Sequence, residues 1–168
     1  MTDVSNKKVN GNKGSLLVVR VRGTINTPTP VRTTLLQLRL FKRHTATIIP
    51  DTPIYRGMLQ TAKDWISWSS IDSATVEKIL ISRGQKIGGK KITSEDVKPW
   101  GFKSIKDMSK SISTGETALK NIEGLKPFFR LSPPKGGYKV STRRSSGQGG
   151  ILGQYSNLLT LTERMLEN

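Results

Sequence analysis

Along the first seventy residues the apolar positions change period several times. Leu16–Arg22 (LLVVRVR) is rich in β-branched residues, and Val19 and Val21 alternate with Arg20 and Arg22. That is the period of a strand with one face on a core and the other toward a partner that accepts arginine. Gly23 closes it, and after the loop Thr24–Thr29, Pro30 suits the first helical position behind a Thr29 cap. Val31, Leu35, Leu38 and Phe41 then form one stripe, predicting a helix to about Lys42 with Arg32, Arg39 and Lys42 off the stripe. Thr45–Pro50 (TATIIP) reads as a second strand ended by proline. Thr52 and Pro53 are the cap and first residue of a helix reaching about Lys63. Inside it, Gly57 costs about 1 kcal/mol against alanine and calls for a reason such as close approach of another backbone. Trp65–Ser69 alternates as a third strand. Strand, helix, strand, helix, strand in so short a span favours a small α+β sandwich with both helices on one face of the sheet.

The remainder is more helical. Ser73 caps a helix to Arg83 with Val76, Ile79 and Leu80 on its stripe, and Gly84 stops it. Gln85–Ile92 is a Gly-Lys loop, and Thr93 opens a short turn with acids at Glu95 and Asp96. Ser104 caps a helix carrying Ile105, Met108 and Ile112 that ends at Gly115, while Thr117–Ile122 has no decisive period. The last helix, Ser156 to about Leu166, has a leucine face that must dock on the body.

Between these lies Gly124–Gly153, which starts with core-like Phe128, Phe129 and Leu131. After Pro133-Pro134 it turns into Gly, Ser, Lys and Arg. With so little to bury, it is either a solvated linker or a segment that a polyanion orders. The chain thus divides into a flexible basic start (1–15), a β-α-β-α-β core (16–70), a helical extension (71–123), a basic Gly/Pro/Ser-rich extension (124–155) and a docking C-terminal helix (156–168).

Charge sharpens this picture. The 168 residues hold 28 Lys+Arg against 12 Asp+Glu, a net +16, which speaks about partners rather than fold. Val4–Pro50 and Gly124–Thr162 contain no acid at all. Two acid-free blocks point to one extended basic surface if the fold brings them together, with nucleic acid as the first partner to expect. There is no cysteine, hence no disulfide or thiolate metal site. No apolar run approaches the ~20 residues of a membrane span.

Catalytic readings find no support. His44 is the only histidine, and it sits beside Arg43 without an evident catalytic partner. The Gly84–Gly89 loop lacks the glycine–lysine–serine/threonine order of a phosphate loop. Binding chemistry is plentiful, since Lys, Arg, Ser, Thr and glycine-exposed N–H groups meet phosphates. The candidates are Arg20, Arg22, Arg39, Lys42, Arg43, His44, Tyr55, Arg56, Arg130, Lys135, Gly136, Gly137, Tyr138, Lys139, Arg143 and Arg144. Tyr55 and Tyr138, each next to a cation, are the candidates for base stacking; Trp65, Trp68, Phe128 and Phe129 read as core. No cofactor, metal or small-molecule substrate is expected.

Three stretches in this order resemble a known family: PDTPIYRGM (Pro50–Met58), GLKPFFRLSPPKGG (Gly124–Gly137) and GGILG (Gly149–Gly153). They are similar to the long, archaeal and eukaryotic-type form of large-subunit ribosomal protein thirty, whose eukaryotic members are numbered seven. The likeness spans about Leu16 to Leu166, and the short N-terminus looks archaeal. After Gly153 the chain departs from the family pattern, with Gln154-Tyr155 in place of a polar and a basic residue. The resemblance implies a cytoplasmic, structural, non-enzymatic constituent of the large ribosomal subunit. It would be a monomer there, bound to large-subunit ribosomal RNA and neighbouring ribosomal proteins. It also implies a ferredoxin-like core with a three-stranded antiparallel sheet under two helices, and an RNA-penetrating extension around Pro133–Gly137. A basic module that binds an acidic protein is the alternative.

Overall fold

The computed structural model describes residues 14–167; the expectation for the basic N-terminal start falls almost wholly outside them. Three strands form the centre: β1 (Ser15–Arg20), β2 (Thr45–Pro50) and β3 (Ile66–Ser70), with β1 antiparallel to both neighbours. They alternate with α1 (Thr29–Gln37) and α2 (Pro53–Thr61), giving the α+β arrangement that the pattern predicts. Thr52 caps α2 by accepting from the Tyr55 N–H at 3.3 Å. The cap of α3 (Ser73–Arg83) is Asp72, one residue before the expected Ser73, and its side chain makes no cap bond. Ser104 caps α4 (Ile105–Ser113) through the Asp107 N–H.

The sheet is wider than expected. Phe129–Arg130 forms β4, Ser141–Ser145 β5 and Gly150–Gln154 β6, and the six strands run in the order β4-β2-β1-β3-β6-β5. The basic extension therefore closes both edges of the three-stranded centre: β4 antiparallel on β2, β6 parallel on β3. It also has more to bury than its composition suggests, since Leu131, Pro134, Gly150, Ile151 and Leu152 are all buried. Gly150 shows why. A Cβ there would overlap the Arg144 carbonyl, so this glycine serves the closure of β5 on β6 rather than approach of a ligand.

Both faces of the sheet are covered. Val18, Ile49, Ile66 and Trp68 pack with Val31 and Leu35 of α1 and Leu59 of α2. Leu17, Val19, Ala46 and Ile48 pack with α3, α4 and α5 (Leu158–Leu166). Two covered faces explain the near-continuous apolar run of β1, and they correct the expectation that its arginine side meets a partner. The reason proposed for Gly57 also fails: no other backbone or side chain beyond its chain neighbours and its own helix comes within 4 Å of where its Cβ would stand.

Candidate nucleic-acid interface

α1 ends four or five residues before its apolar stripe does. Leu38 is the C-cap, Arg39 takes φ 59, and the N–H groups of Arg39 and Leu40 donate to the Leu36 and Leu35 carbonyls. That is a Schellman ending with arginine where glycine is usual. The chain then runs through Leu40–Arg43 to His44, also left-handed at φ 64. Two non-glycine residues in this region cost of order 1–3 kcal/mol each and persist only when the surroundings impose them.

Arg20 imposes them. It is 3% exposed, and its Nη1 donates to the carbonyls of Leu40 at 2.7 Å and Phe41 at 3.0 Å. Nε donates to Arg22 O, and Nη2 to Gly23 O and Thr24 Oγ1. Five acceptors occupy the guanidinium and leave nothing for a phosphate, so Arg20 drops out of the candidate binding set. Burial lowers its pKa from the ordinary arginine value. The loop it clamps presents Arg39, Phe41, Lys42 and Arg43, all exposed.

The second acid-free block comes to the same place. Arg130 lies opposite Thr45 in the β2–β4 ladder, and the Leu131 N–H donates to the His44 carbonyl at 2.9 Å. Tyr138 returns to His44, hydroxyl to Nδ1 at 2.8 Å with the rings stacked at 6.0 Å, and the Arg43 guanidinium lies 5.8 Å from the Tyr138 ring centre. Burial first and the Arg43 charge second push the His44 pKa below 6.5. Burial raises that of the Tyr138 phenol. Tyr138 is thus engaged on one side by its own protein. The exposed turn Lys135–Gly137 is held by Arg164 of α5, whose Nη2 donates to Lys135 O at 2.5 Å and Gly137 O at 2.6 Å. Gly136 and Gly137 both stand at φ 74, a conformation the turn could not ask of other residues cheaply. Lys139 is exposed beside it.

The other candidates lie elsewhere. Arg143 and Arg144 are exposed on β5, at the opposite edge of the sheet from β4. Arg22 stacks 4.9 Å over Trp65 and donates to Asp64 O. Tyr55 and Arg56 belong to α2, which follows the far end of β2. Tyr55 packs against the α1–α2 core with Lys120 5.7 Å from its ring. Arg56 forms a two-toothed pair with Asp51 at 2.5 and 2.7 Å, whose hydrogen bonds hold the Asp51 carboxyl below 3.8. Its charge is therefore largely spent. Between α2 and the β5–β6 connection runs an open groove of about 1040 Å³, edged by Arg56, Gln60, Ser146, Gly147 and Tyr155.

Other acids are also paired off: Glu163 with Lys78 at 2.6 Å and Asp96 with Lys86 at 2.7 Å. No group of three or more His, Cys, Asp or Glu able to hold a metal ion occurs among the described residues, and no helix of theirs is long and apolar enough to cross a membrane. Exposed cations clustered in acid-free stretches of chain have the chemistry to meet a polyanion.

A family model described as ribosomal protein L30p/L7e matches residues 16–66, the β1–β3 centre. The chain is 37% identical over 91% of its length to the large ribosomal subunit protein uL30 of Cenarchaeum symbiosum (strain A), covering 99% of that protein. It is 40% identical to that of Archaeoglobus fulgidus, over 84% of this chain and 95% of the relative. The chain belongs to the uL30 family. The uL30 of Methanocorpusculum labreanum is 41% identical over 82% of this chain, so the likeness reaches well past the β1–β3 centre.

Within this uL30 chain, the Gln154-Tyr155 departure has a local explanation. The Tyr155 N–H donates to Trp68 O at 3.0 Å and its ring packs on the larger core, continuing the β3–β6 pairing. Sequence reasoning missed Arg164 and Phe41. Arg164 gives no signal, being one more cation on an amphipathic helix. Phe41 was placed on the buried stripe, and only the unannounced stop of α1 puts it outside; it is 44% exposed. Phe128, read as core, is half-buried and meets Phe41 edge-on at 5.6 Å.

Proposed function

We propose that this chain is a structural, non-catalytic constituent of the large ribosomal subunit that binds large-subunit ribosomal RNA and touches neighbouring ribosomal proteins. The observation that carries this reading is the meeting of the two acid-free blocks at the β2–β4 edge, in a chain whose relatives are named as large-subunit proteins. The binding surface consists of Arg39, Lys42, Arg43, Arg130, Lys135 and Lys139 around that edge. Arg143 and Arg144 form a second contact at the β5 edge, and the Lys135–Gly137 turn, whose Lys135 and Gly137 N–H groups donate to Arg164 O and Pro134 O, offers its Gly136 N–H to phosphate. His44 and Tyr138 position the surface rather than supply charge. The protein acts as a monomer there, with no small-molecule substrate.

The test is the salt dependence of binding to a large-subunit ribosomal RNA transcript, with Lys135, Lys139, Arg143 and Arg144 together changed to Gln. A steep fall of affinity with salt is expected, with a shallower slope for the variant. A flat response for the parent would falsify the reading. So would release of the native protein from large subunits by washes that leave other ribosomal proteins in place. Substitution is preferred to deleting residues 134–149. β4 and β6 lie four strand spacings apart, about 19 Å, and the four Cα–Cα steps left between them after such a deletion span at most about 14 Å.

A further inference from the structure

The exposed phenyl group of Phe41 is not accounted for by phosphate binding. Phe41 stands 44% exposed in a loop whose other exposed residues are the cations Arg39, Lys42 and Arg43. The backbone beneath it is fixed from inside: Arg20 donates to its carbonyl, and left-handed Arg39 and His44 bracket the loop. The Phe128 ring braces it edge-on, at 83° between planes. An apolar ring held this firmly in the open is prepared to contact something. Arg39, Lys42 and Arg43 on the same loop, Arg130 on the adjoining strand, and the lack of any acid from Val4 to Pro50 specify that partner as polyanionic. Within a polyanion, the surfaces a phenyl ring can match are the faces of bases. In a duplex those faces are stacked on one another, so only an unpaired base offers one.

We propose that Phe41 is a stacking platform for an unpaired nucleobase of RNA, presented by the loop Leu38–His44 and held in place by Arg20 and Phe128. This rests on the RNA-binding reading above and adds what that reading lacks, a contact to a base instead of to phosphates. The flanking cations bring the strand to the loop, and the ring selects segments whose bases are free. Arg20 is the positioning residue: it touches no RNA and sets where the ring stands.

The experiment compares binding of the full chain to an oligoadenylate of about 12 nucleotides and to the same strand in duplex with oligouridylate. Variants are F41A, F41L and F41W. The parent should prefer the single strand. F41A should weaken single-strand binding about tenfold while leaving duplex binding and the slope of affinity against salt unchanged, because no phosphate contact is removed. F41W should retain the preference, and F41L, apolar but without a π-face, should lose it. Unchanged single-strand affinity in F41A, parallel losses on both ligands, or F41L behaving as the parent would each overturn the proposal; the last shows that the π-face is not what binds. A parent that binds ribosomal RNA but not the single strand overturns this inference and leaves the RNA-binding reading intact. A parent that binds neither overturns both.

Discussion

The loop Leu38–His44 and the segment Leu131–Gly149 are both acid-free and basic, both contain left-handed residues, and each is held by one arginine that donates to its carbonyls. They differ in where that arginine stands. Arg20 comes from the central strand, is buried, and gives all its donors to the protein. Arg164 comes from the last helix, is half-buried, and ties only Lys135 and Gly137. A loop clamped from the core has its shape before any ligand arrives. A turn tied from the surface can adjust to one. A binding surface can therefore combine a rigid reader with an adaptable one, at no more than the cost of placing two arginines differently.

The largest effect should come from Arg20→Met, which keeps the side-chain length but strands several buried carbonyls. Unfolding in urea should show a loss of roughly 3 kcal/mol, and a loss no larger than that of an exposed arginine would break the comparison. Next is Gly150→Ala, at the far end of the second segment. The overlap with Arg144 O should cost about 2 kcal/mol, read as loss of amide protection across β5 and β6 with loop 38–44 untouched. Arg164→Ala should cost about 1 kcal/mol and speed amide exchange only around residues 135–140. If it destabilises as much as Arg20→Met, the two segments are held alike. Arg39→Gly relieves the left-handed arginine and should gain about 0.5 kcal/mol, while lowering the slope of RNA affinity against salt by about 1.

The smallest effect concerns His44, where the two segments touch. Its folded pKa is depressed from 6.5, by burial and by Arg43. Its contribution is therefore fully present above the unfolded value and is lost as the pH falls through the folded one. An NMR titration should place the midpoint below 6.5, and in Arg43→Gln it should move back toward that value.

Elements whose stop and start signals are local could be read from the chain. Thr45–Pro50 and Ser73–Arg83 carry their ends in Pro50 and Gly84, and the caps Thr52 and Ser104 are where their spacing puts them. What failed depends on distant partners. Arg39 ends α1 without the glycine that would announce it, because Arg20 holds the following loop from another element. Arg20 and Arg22 alternate identically with valines, yet only Arg20 is buried, since loop 38–44 covers one and not the other. β5 is written in Ser, Thr and Arg and β6 has only Ile151 and Leu152 to mark it, and the parallel pairing of β6 to β3, far back in the chain, leaves no local trace. In the candidate surface, charge was legible as a total. Which cations are spent on the protein itself, as Arg20 and Arg56 are, was not.

The order β4-β2-β1-β3-β6-β5 also bears on biosynthesis. The three central strands are complete by Ser70, but the strands that cover their outer edges come only at Phe129 and Gly150. While the intervening residues are being made, β2 and β3 of the nascent chain each present an unpaired row of N–H and C=O groups, and such rows are templates for aggregation. A chain with this topology is most in need of a chaperone between its seventieth residue and its last strand, and truncation before Gly150 should yield inclusion bodies rather than a smaller soluble domain.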